Sequence, residues 1–252
     1  MNDLIGFFDS GMGGISVLHE AVRLLPNEHF LFFGDNGNAP YGPKPLEEIR
    51  RLSAEGIGRL LARDVKAVVI ACNTATSAYA DIIRRERPDL PIVGMEPALK
   101  PAHFARHGGK VLVLATQATL SLEKYRRLKA RYGADVTSIV GTGLVELVEA
   151  GKARSTEAAE QVKRLLAPYV GQQVDAIVLG CTHYPFLRPH VQALFPQADI
   201  FDGREGTVLR LKDLLERSGR LSDDSPGSVE YETSGPPETL ERMRALMRSL
   251  DS

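Results

Sequence analysis

Short β-rich apolar runs alternate with longer helical patterns along the chain, and that rhythm limits the fold more than any other feature. Leu4–Phe8, Phe30–Phe33, Val65–Ala71, Ile92–Met95, Val111–Ala115, Val136–Val140, Ala176–Gly180, Asp199–Phe201 and Val229–Thr233 read as strands. Many carry apolar residues at consecutive positions, as strands covered on both faces do. Helix candidates stand between them at Ile15–Leu25, Pro45–Arg63, Thr76–Arg87, Leu120–Tyr132, Ser155–Val170, Phe186–Phe195 and Thr207–Ser218, with a last one at Pro237–Leu250. Pro26, Pro88 and Pro196 each follow a helix closely, where a stop is expected. Strands and helices in this order make βαβ units, hence an α/β fold with doubly wound parallel sheets. The most linker-like stretch is Ser222–Ser228.

An internal echo divides the pattern. Ala67-Val-Val-Ile-Ala-Cys-Asn-Thr-Ala-Thr76 resembles Ala176-Ile-Val-Leu-Gly-Cys-Thr-His-Tyr-Pro185 at an offset of 109, and Leu4–Gly11 aligns with Val111–Ala118 at 107. One such match means little, because buried strands look alike. Two at nearly one offset, sharing a Cys position, favour two similar α/β halves, and 252 residues suffice for two small domains.

Composition removes several function classes. Lys+Arg 31 against Asp+Glu 32, a net charge of −1, without a basic block, argues against nucleic acid or an anionic membrane as partner. The first residues, Met-Asn-Asp-Leu-Ile-Gly-Phe-Phe-Asp, lack the basic flank of a signal peptide, and no apolar run approaches the roughly 18 residues of a membrane span. Two cysteines, Cys72 and Cys181, in a chain this long do not form a disulfide scaffold, so a reduced, cytoplasmic protein is expected.

Both cysteines end an apolar strand and precede a helix candidate, at the edge where open α/β sheets bind ligands. A lone Cys is more often a small buried hydrophobe. Here polar residues follow each one, Asn73-Thr74 and Thr182-His183, and a helix start is expected to push both thiols below about 8.5. Two thiols facing each other across a cleft suit removal of a proton from one face of a carbon and its return to the other, the need of a racemase or epimerase. A thiol hydrolase needs one Cys, and a Cys-x-x-Cys redox pair is absent. Asp9-Ser10-Gly11-Met12-Gly13-Gly14 looks like a glycine-rich anion loop at the start of a helix, without a Walker or dinucleotide signature. Asp35–Gly42 is a second loop with a turn and a tyrosine. His103 and His107 have the i, i+4 metal spacing but no third ligand nearby, and the following Gly108-Gly109 makes a helix C-terminus their expected setting. No metal site is expected.

Taken together, Phe-Asp9-Ser10-Gly11-x-Gly13-Gly14, Gly34-Asp35 with Pro40-Tyr41-Gly42, Ala71-Cys72-Asn73-Thr74-Ala75 and Leu179-Gly180-Cys181-Thr182-His183-Tyr184-Pro185 resemble the glutamate racemases of the cofactor-independent aspartate/glutamate racemase superfamily, along essentially the whole chain. The resemblance implies two similar domains, 1–97 plus 207–252 and 98–206, with the active site in the cleft between them. It implies that Cys72 and Cys181 act on opposite faces of the substrate Cα, assisted by Asp9 and His183 respectively, with Glu149 as helper. Glu146, one turn earlier, shares that side of a helix and remains the alternative. Ser10, Tyr41, Gly42, Asn73, Thr74 and Thr182 match substrate-holding positions, as do Asp9 and His183; Thr116 and Thr119 look like further polar contacts. The chain departs from the family at Gly141–Glu146, where a proline is usual, and at Asn36–Ala39, which is richer in glycine and asparagine. No cofactor is implied, since no lysine lies in a cleft motif to hold pyridoxal. The implied partner is a small substrate, glutamate, used for peptidoglycan, with a second copy of the chain in a homodimer. An aspartate racemase or another isomerase of the superfamily is the nearest alternative. A bilobed binding protein without turnover is the alternative from another class.

Overall fold

A computed structural model describes residues 3–133, 135–222 and 226–250. The first half of the chain runs β1 (Leu4–Asp9), α1 (Ile15–Leu24), β2 (His29–Gly34), α2 (Leu46–Leu61), β3 (Ala67–Ile70), α3 (Asn73–Glu86), β4 (Ile92–Gly94), α4 (Leu99–Phe104) and β5 (Lys110–Ala115). It continues with α5 (Gln117–Ser121), α6 (Glu123–Tyr132), β6 (Val136–Val140), α7 (Leu144–Glu149), α8 (Thr156–Leu166), β7 (Val174–Gly180), α9 (Arg188–Leu194), β8 (Asp199–Asp202), α10 (Arg204–Arg217), β9 (Ser228–Thr233) and α11 (Glu238–Arg248). The strands form two wholly parallel sheets, in the orders β4-β3-β1-β2-β9 and β6-β5-β7-β8. Read from the other edge, the second sheet is β8-β7-β5-β6, the order of four strands of the first. The sequence echo is therefore matched by topology, with β9 as an added edge strand.

The consecutive apolar residues of the strands are explained by cover on both faces. In the first sheet Ile5, Phe7, Phe30, Phe32 and Val69 enter one core, whereas Leu4, Phe8, Leu31, Phe33 and Ile70 enter the other. In the second, Leu112, Leu114, Ile177 and Leu179 face one core, and Val111, Val113, Ala176 and Val178 the opposite one. A fully buried Leu or Phe side chain contributes about 1.5–3 kcal/mol, so these four cores dominate stability. Gly56 in the middle of α2 lets that helix lie against the sheet, because a Cβ there would overlap the Phe8 ring. After β8 the chain returns to the first sheet: Val208, Leu211 and Leu215 of α10 and Met243 of α11 complete the Ile5/Phe7 core.

Some boundaries differ from expectation. The α3 helix starts at Asn73, not Thr76, because the Cys72 thiol caps it by accepting the Ala75 N–H. The helix expected over Leu120–Tyr132 is two helices. Thr116 caps an earlier start, and Leu122 between them is extended and packs against the Leu4/Phe8 core. His107 lies beyond the end of α4, so only His103 has the helical setting expected for the pair. The His107 N–H donates to Asp175, and His103 packs its ring on Phe104 and Tyr132. Residues 223–225 of the linker-like stretch lie outside the described residues. Among the described residues, no helix is long and apolar enough to cross a membrane.

Candidate active site

In each sheet the chain turns outward in both directions from a central strand, and ligands of such sheets bind where the strand order reverses. That point lies between β1 and β3 in the first sheet and between β5 and β7 in the second. Asp9 ends β1 and Cys72 follows β3; Thr116 follows β5 and Cys181 follows β7. Both thiols are free, buried and line one cavity of about 20 Å³ with Ser10, Pro40, Tyr41, Gly42, Asn73, Thr74, Thr116, Val145, Thr182 and His183.

The two thiols occupy matching places with different partners. Cys72 Sγ lies 3.2 Å from Ser10 Oγ and 3.4 Å from the Ala75 amide nitrogen. Cys181 Sγ lies 3.6 Å from His183 Nδ1. The other ring nitrogen, Nε2, is 2.6 Å from Glu149 Oε1, which also accepts the Met12 N–H at 2.7 Å. Asp9, fully buried, accepts the Gly11 N–H at 3.0 Å and the Thr182 hydroxyl at 3.2 Å. Ser16 Oγ donates to the Thr182 carbonyl at 3.0 Å. Contacts of this kind join residues of the first sheet's side to residues of the second. Gly13 permits the approach, since a Cβ there would overlap His183 Nδ1 and stand 2.6 Å from Thr182 Oγ1.

Burial sets the electrostatics. It pushes the Cys72 thiol up to about 12, aided by the Asp9 charge and only partly opposed by Ser10 and the Ala75 N–H. The expectation of a depressed Cys72 pKa is therefore wrong. The helix start contributes one long contact to sulfur, while desolvation of the thiolate acts in full. Asp9 is also raised by burial, against the charge of His183 and the N–H groups of Gly11 and Gly14. For His183 burial disfavours the cation, yet the contacts with Cys181 and Glu149 prevail and hold it well above 6.5. Glu149 is lowered because His183, the Met12 N–H and Asn36 outweigh its burial. Such an arrangement can store and move protons beside two sulfurs within a small buried cavity.

The family model for Asp/Glu/hydantoin racemases matches residues 12–209. The chain belongs to this family. It is an amino-acid racemase. A glutamate racemase of Clostridium perfringens is 46% identical over 225 residues, covering 88% of this chain and 86% of that one. The crystal structure of a Bacillus anthracis glutamate racemase isoform superposes with a TM-score of 0.88 at 30% identity, over 100% of this chain and 95% of that chain. An Escherichia coli glutamate racemase, solved with L-glutamate and an activator, gives 0.85 at 29% identity, with 99% and 95% covered.

In this racemase Ser10, Gly42, Asn73, Thr74, Thr116, Thr182 and His183 reach the cavity with the two thiols. Asp9 stands behind Thr182, and Thr119 lies behind the wall, bonded to Thr74 and Thr116. Tyr41 lines the cavity with its ring, but its hydroxyl donates to Asp35 at 2.6 Å, and burial with that bond pushes it up. Glu149, not Glu146, reaches His183; Glu146 lines a neighbouring cavity of about 380 Å³. The glycine-rich loop does bind anions with its N–H groups, but they are the protein's own carboxylates: Gly11 holds Asp9 and Met12 holds Glu149. Sequence reasoning missed Ser16, Asn36 and Val145. Ser16 sits in a run that reads as ordinary helix, whereas Asn36 and Val145 belong to the two stretches already marked as unusual, Asn36–Ala39 and Gly141–Glu146. Among the described residues, no group of three or more His, Cys, Asp or Glu side chains is placed to hold a metal.

Proposed function

We propose that the racemase interconverts L- and D-glutamate, with Cys72 and Cys181 removing and returning the Cα proton on opposite faces, and supplies D-glutamate for peptidoglycan in a reducing cytoplasm. The observation that carries this reading is two unbonded, buried thiols in one cavity, each at the switch point of its own sheet. A Cα proton is very weakly acidic, so the carbanion formed on its removal needs hydrogen-bond donors around the carboxylate and exclusion of water. Ser10 and Thr74 supply hydroxyl donors, and the Thr116 and Thr182 hydroxyls, which donate to Thr119 and Asp9, line the same wall. Asn73 Oδ1 is a buried acceptor without a partner among the described residues, and a substrate ammonium would satisfy it. His183, paired with Glu149, exchanges a proton with Cys181, and Asp9 tunes Cys72 through its charge. A cavity of about 20 Å³ holds about one water, so glutamate enters only when the cleft opens. The reading divides the chain into 1–97 plus 207–252 and 98–206, with opening about the two connections near 97/98 and 206/207.

Incubation with L-glutamate in D₂O, followed by proton NMR and chiral chromatography, tests it. D-glutamate labelled with deuterium at Cα should accumulate, L-aspartate should react far more slowly, and Cys72→Ala and Cys181→Ala should each abolish racemisation. Full activity in either variant removes the two-thiol assignment, and faster turnover of aspartate removes glutamate as the substrate.

A further inference from the structure

The Asn36–Ala39 stretch departs from the family pattern, and the reaction as proposed leaves it without a role. Yet Asn36 touches the acid/base machinery. Its Nδ2 donates to Glu149 Oε2 at 3.0 Å, while Oε1 of the same carboxylate is taken by His183 and the Met12 N–H. The amide is also aimed. Asn36 Oδ1 lies 3.1 Å from Thr233 Oγ1, and that hydroxyl accepts the Gly235 N–H at 3.0 Å. A hydroxyl has one proton, and with Gly235 donating to its oxygen that proton goes to Asn36 Oδ1. The NH₂ group then faces Glu149, whose carboxylate can only accept. The next residue repeats the pattern: Ser234 Oγ accepts the Gly37 N–H at 3.0 Å and donates to Asp35 at 2.5 Å. The Asp35–Gly37 turn is thereby strapped to the end of β9.

We propose that Asn36 is a positioning residue for proton transfer at Cys181, its amide oriented by Thr233 so that Glu149 holds His183 against the thiol. The proposal rests on the two-thiol reading. It links β9, the edge strand outside the repeated four-strand order, to one thiol through Thr233, Asn36, Glu149 and His183. Cys72 has other partners, Ser10 and the Ala75 N–H.

The test is the pH dependence of kcat and KM for Asn36→Ala, Thr233→Val and Thr233→Ser, with Cys181→Ala measured alongside. Donation to an ionised carboxylate favours that form, so losing Asn36 raises the Glu149 pKa. The charged and titratable groups facing the pair, Asp9 from β1, Cys181 after β7 and His183, are unchanged by these substitutions. Asn36→Ala should lower kcat by about tenfold to a hundredfold, the scale of a small misplacement of a catalytic group, with KM within about threefold. The acid limb of the kcat profile should move to higher pH. Thr233→Val should shift it the same way by less, and Thr233→Ser, which keeps the hydroxyl, should leave it in place. A wild-type kcat and acid limb in Asn36→Ala, with Cys181→Ala inactive, overturns the positioning role alone. An active Cys181→Ala instead removes the reading beneath it. If Asn36→Ala loses native circular dichroism, the Thr233 pair decides, and an unmoved acid limb in Thr233→Val overturns the proposal.

Discussion

Without substrate, Cys72 should be a poor nucleophile, and its surroundings say by how much. Burial, then the Asp9 charge, pushes its thiol from 9.0 to about 12. That displacement corresponds to about 4 kcal/mol against the thiolate. At pH 8 the reactive form is then roughly a thousandfold scarcer than for a thiol with the ordinary value. Cys181→Ala protein leaves Cys72 as the single thiol, and its alkylation by iodoacetamide can be followed by mass spectrometry between pH 7.5 and 10.5. The logarithm of the rate should rise with unit slope and not bend over in that range. Restricted access lowers every rate by one factor and cannot create or move an inflection, so the bend reports the thiol itself. Adding Asp9→Asn should bring the inflection down but leave it above that of the unfolded chain, because burial is the larger cause. In guanidinium the inflection should return to about 8.5. The same displacement acts on stability. Above about pH 9 the unfolded chain loses this proton first, so stability falls by about 1.4 kcal/mol per pH unit until the folded thiol titrates near 12. A plateau at or below pH 9 in the folded Cys181→Ala protein would refute the burial argument.

Three further outcomes follow from contacts in and beneath the site. Glu149→Gln removes the charge and hydrogen bond that support the His183 cation, so the imidazole should titrate at lower pH by NMR and kcat should fall by about 10²–10⁴-fold, the range of general acid–base catalysis; an unmoved imidazole would contradict the pairing. Gly13→Ala drives a methyl into His183 and Thr182, and should lower activity by about a hundredfold with little change in the urea midpoint. Full activity there would show that the cleft does not depend on that approach. At the opposite ends of the strands, Lys66 and Glu28 form a buried ion pair at 2.7 Å that also holds Ser222. Lys66→Met strands the Glu28 charge and should cost about 3–5 kcal/mol in urea unfolding while leaving kcat at low temperature unchanged; a loss under about 1 kcal/mol would rule out a structural role for the pair.

The parts of this site visible in sequence are those whose residue type conflicts with its surroundings. A Cys followed by polar residues ends a buried strand twice, at one spacing, and the acid at the tip of β1 breaks an apolar run; those signals placed Cys72, Cys181 and Asp9 at strand ends. Depth was not visible. The position of Cys72 before a helix suggested an acidic thiol, but sequence carries no measure of the desolvation that reverses that effect. Orientation was hidden too: Tyr41 sits in a glycine-rich loop that reads as substrate-facing, yet Asp35, six residues earlier, takes its hydroxyl. The bond from Thr233 to Asn36 joins residues 197 apart and has no local pattern at all.

The strand order shared by the two sheets explains why the thiols occupy equivalent places, and the contacts across the cleft bear on how the proposed substrate enters. The Met12 and Asn36 donations to Glu149, the Thr182 donation to Asp9 and the Ser16 donation to the Thr182 carbonyl all cross between the two sides. Each contributes about 1 kcal/mol net, since water replaces it on opening, and the Thr74 bonds to Thr116 and Thr119 and the Lys124–Asp81 ion pair cross the same boundary. In the proposed reaction a glutamate that bridged Asn73, Thr74 and Thr182 would add contacts that exist only in the closed form, and so would shift the balance toward it. On that reading closure would assemble Glu149, His183 and Cys181 in the same step that excludes water. Asp9 and Glu149 thus serve twice, as acceptors in the contacts between the two sides and, in the proposed reaction, as the carboxylates behind the two thiols.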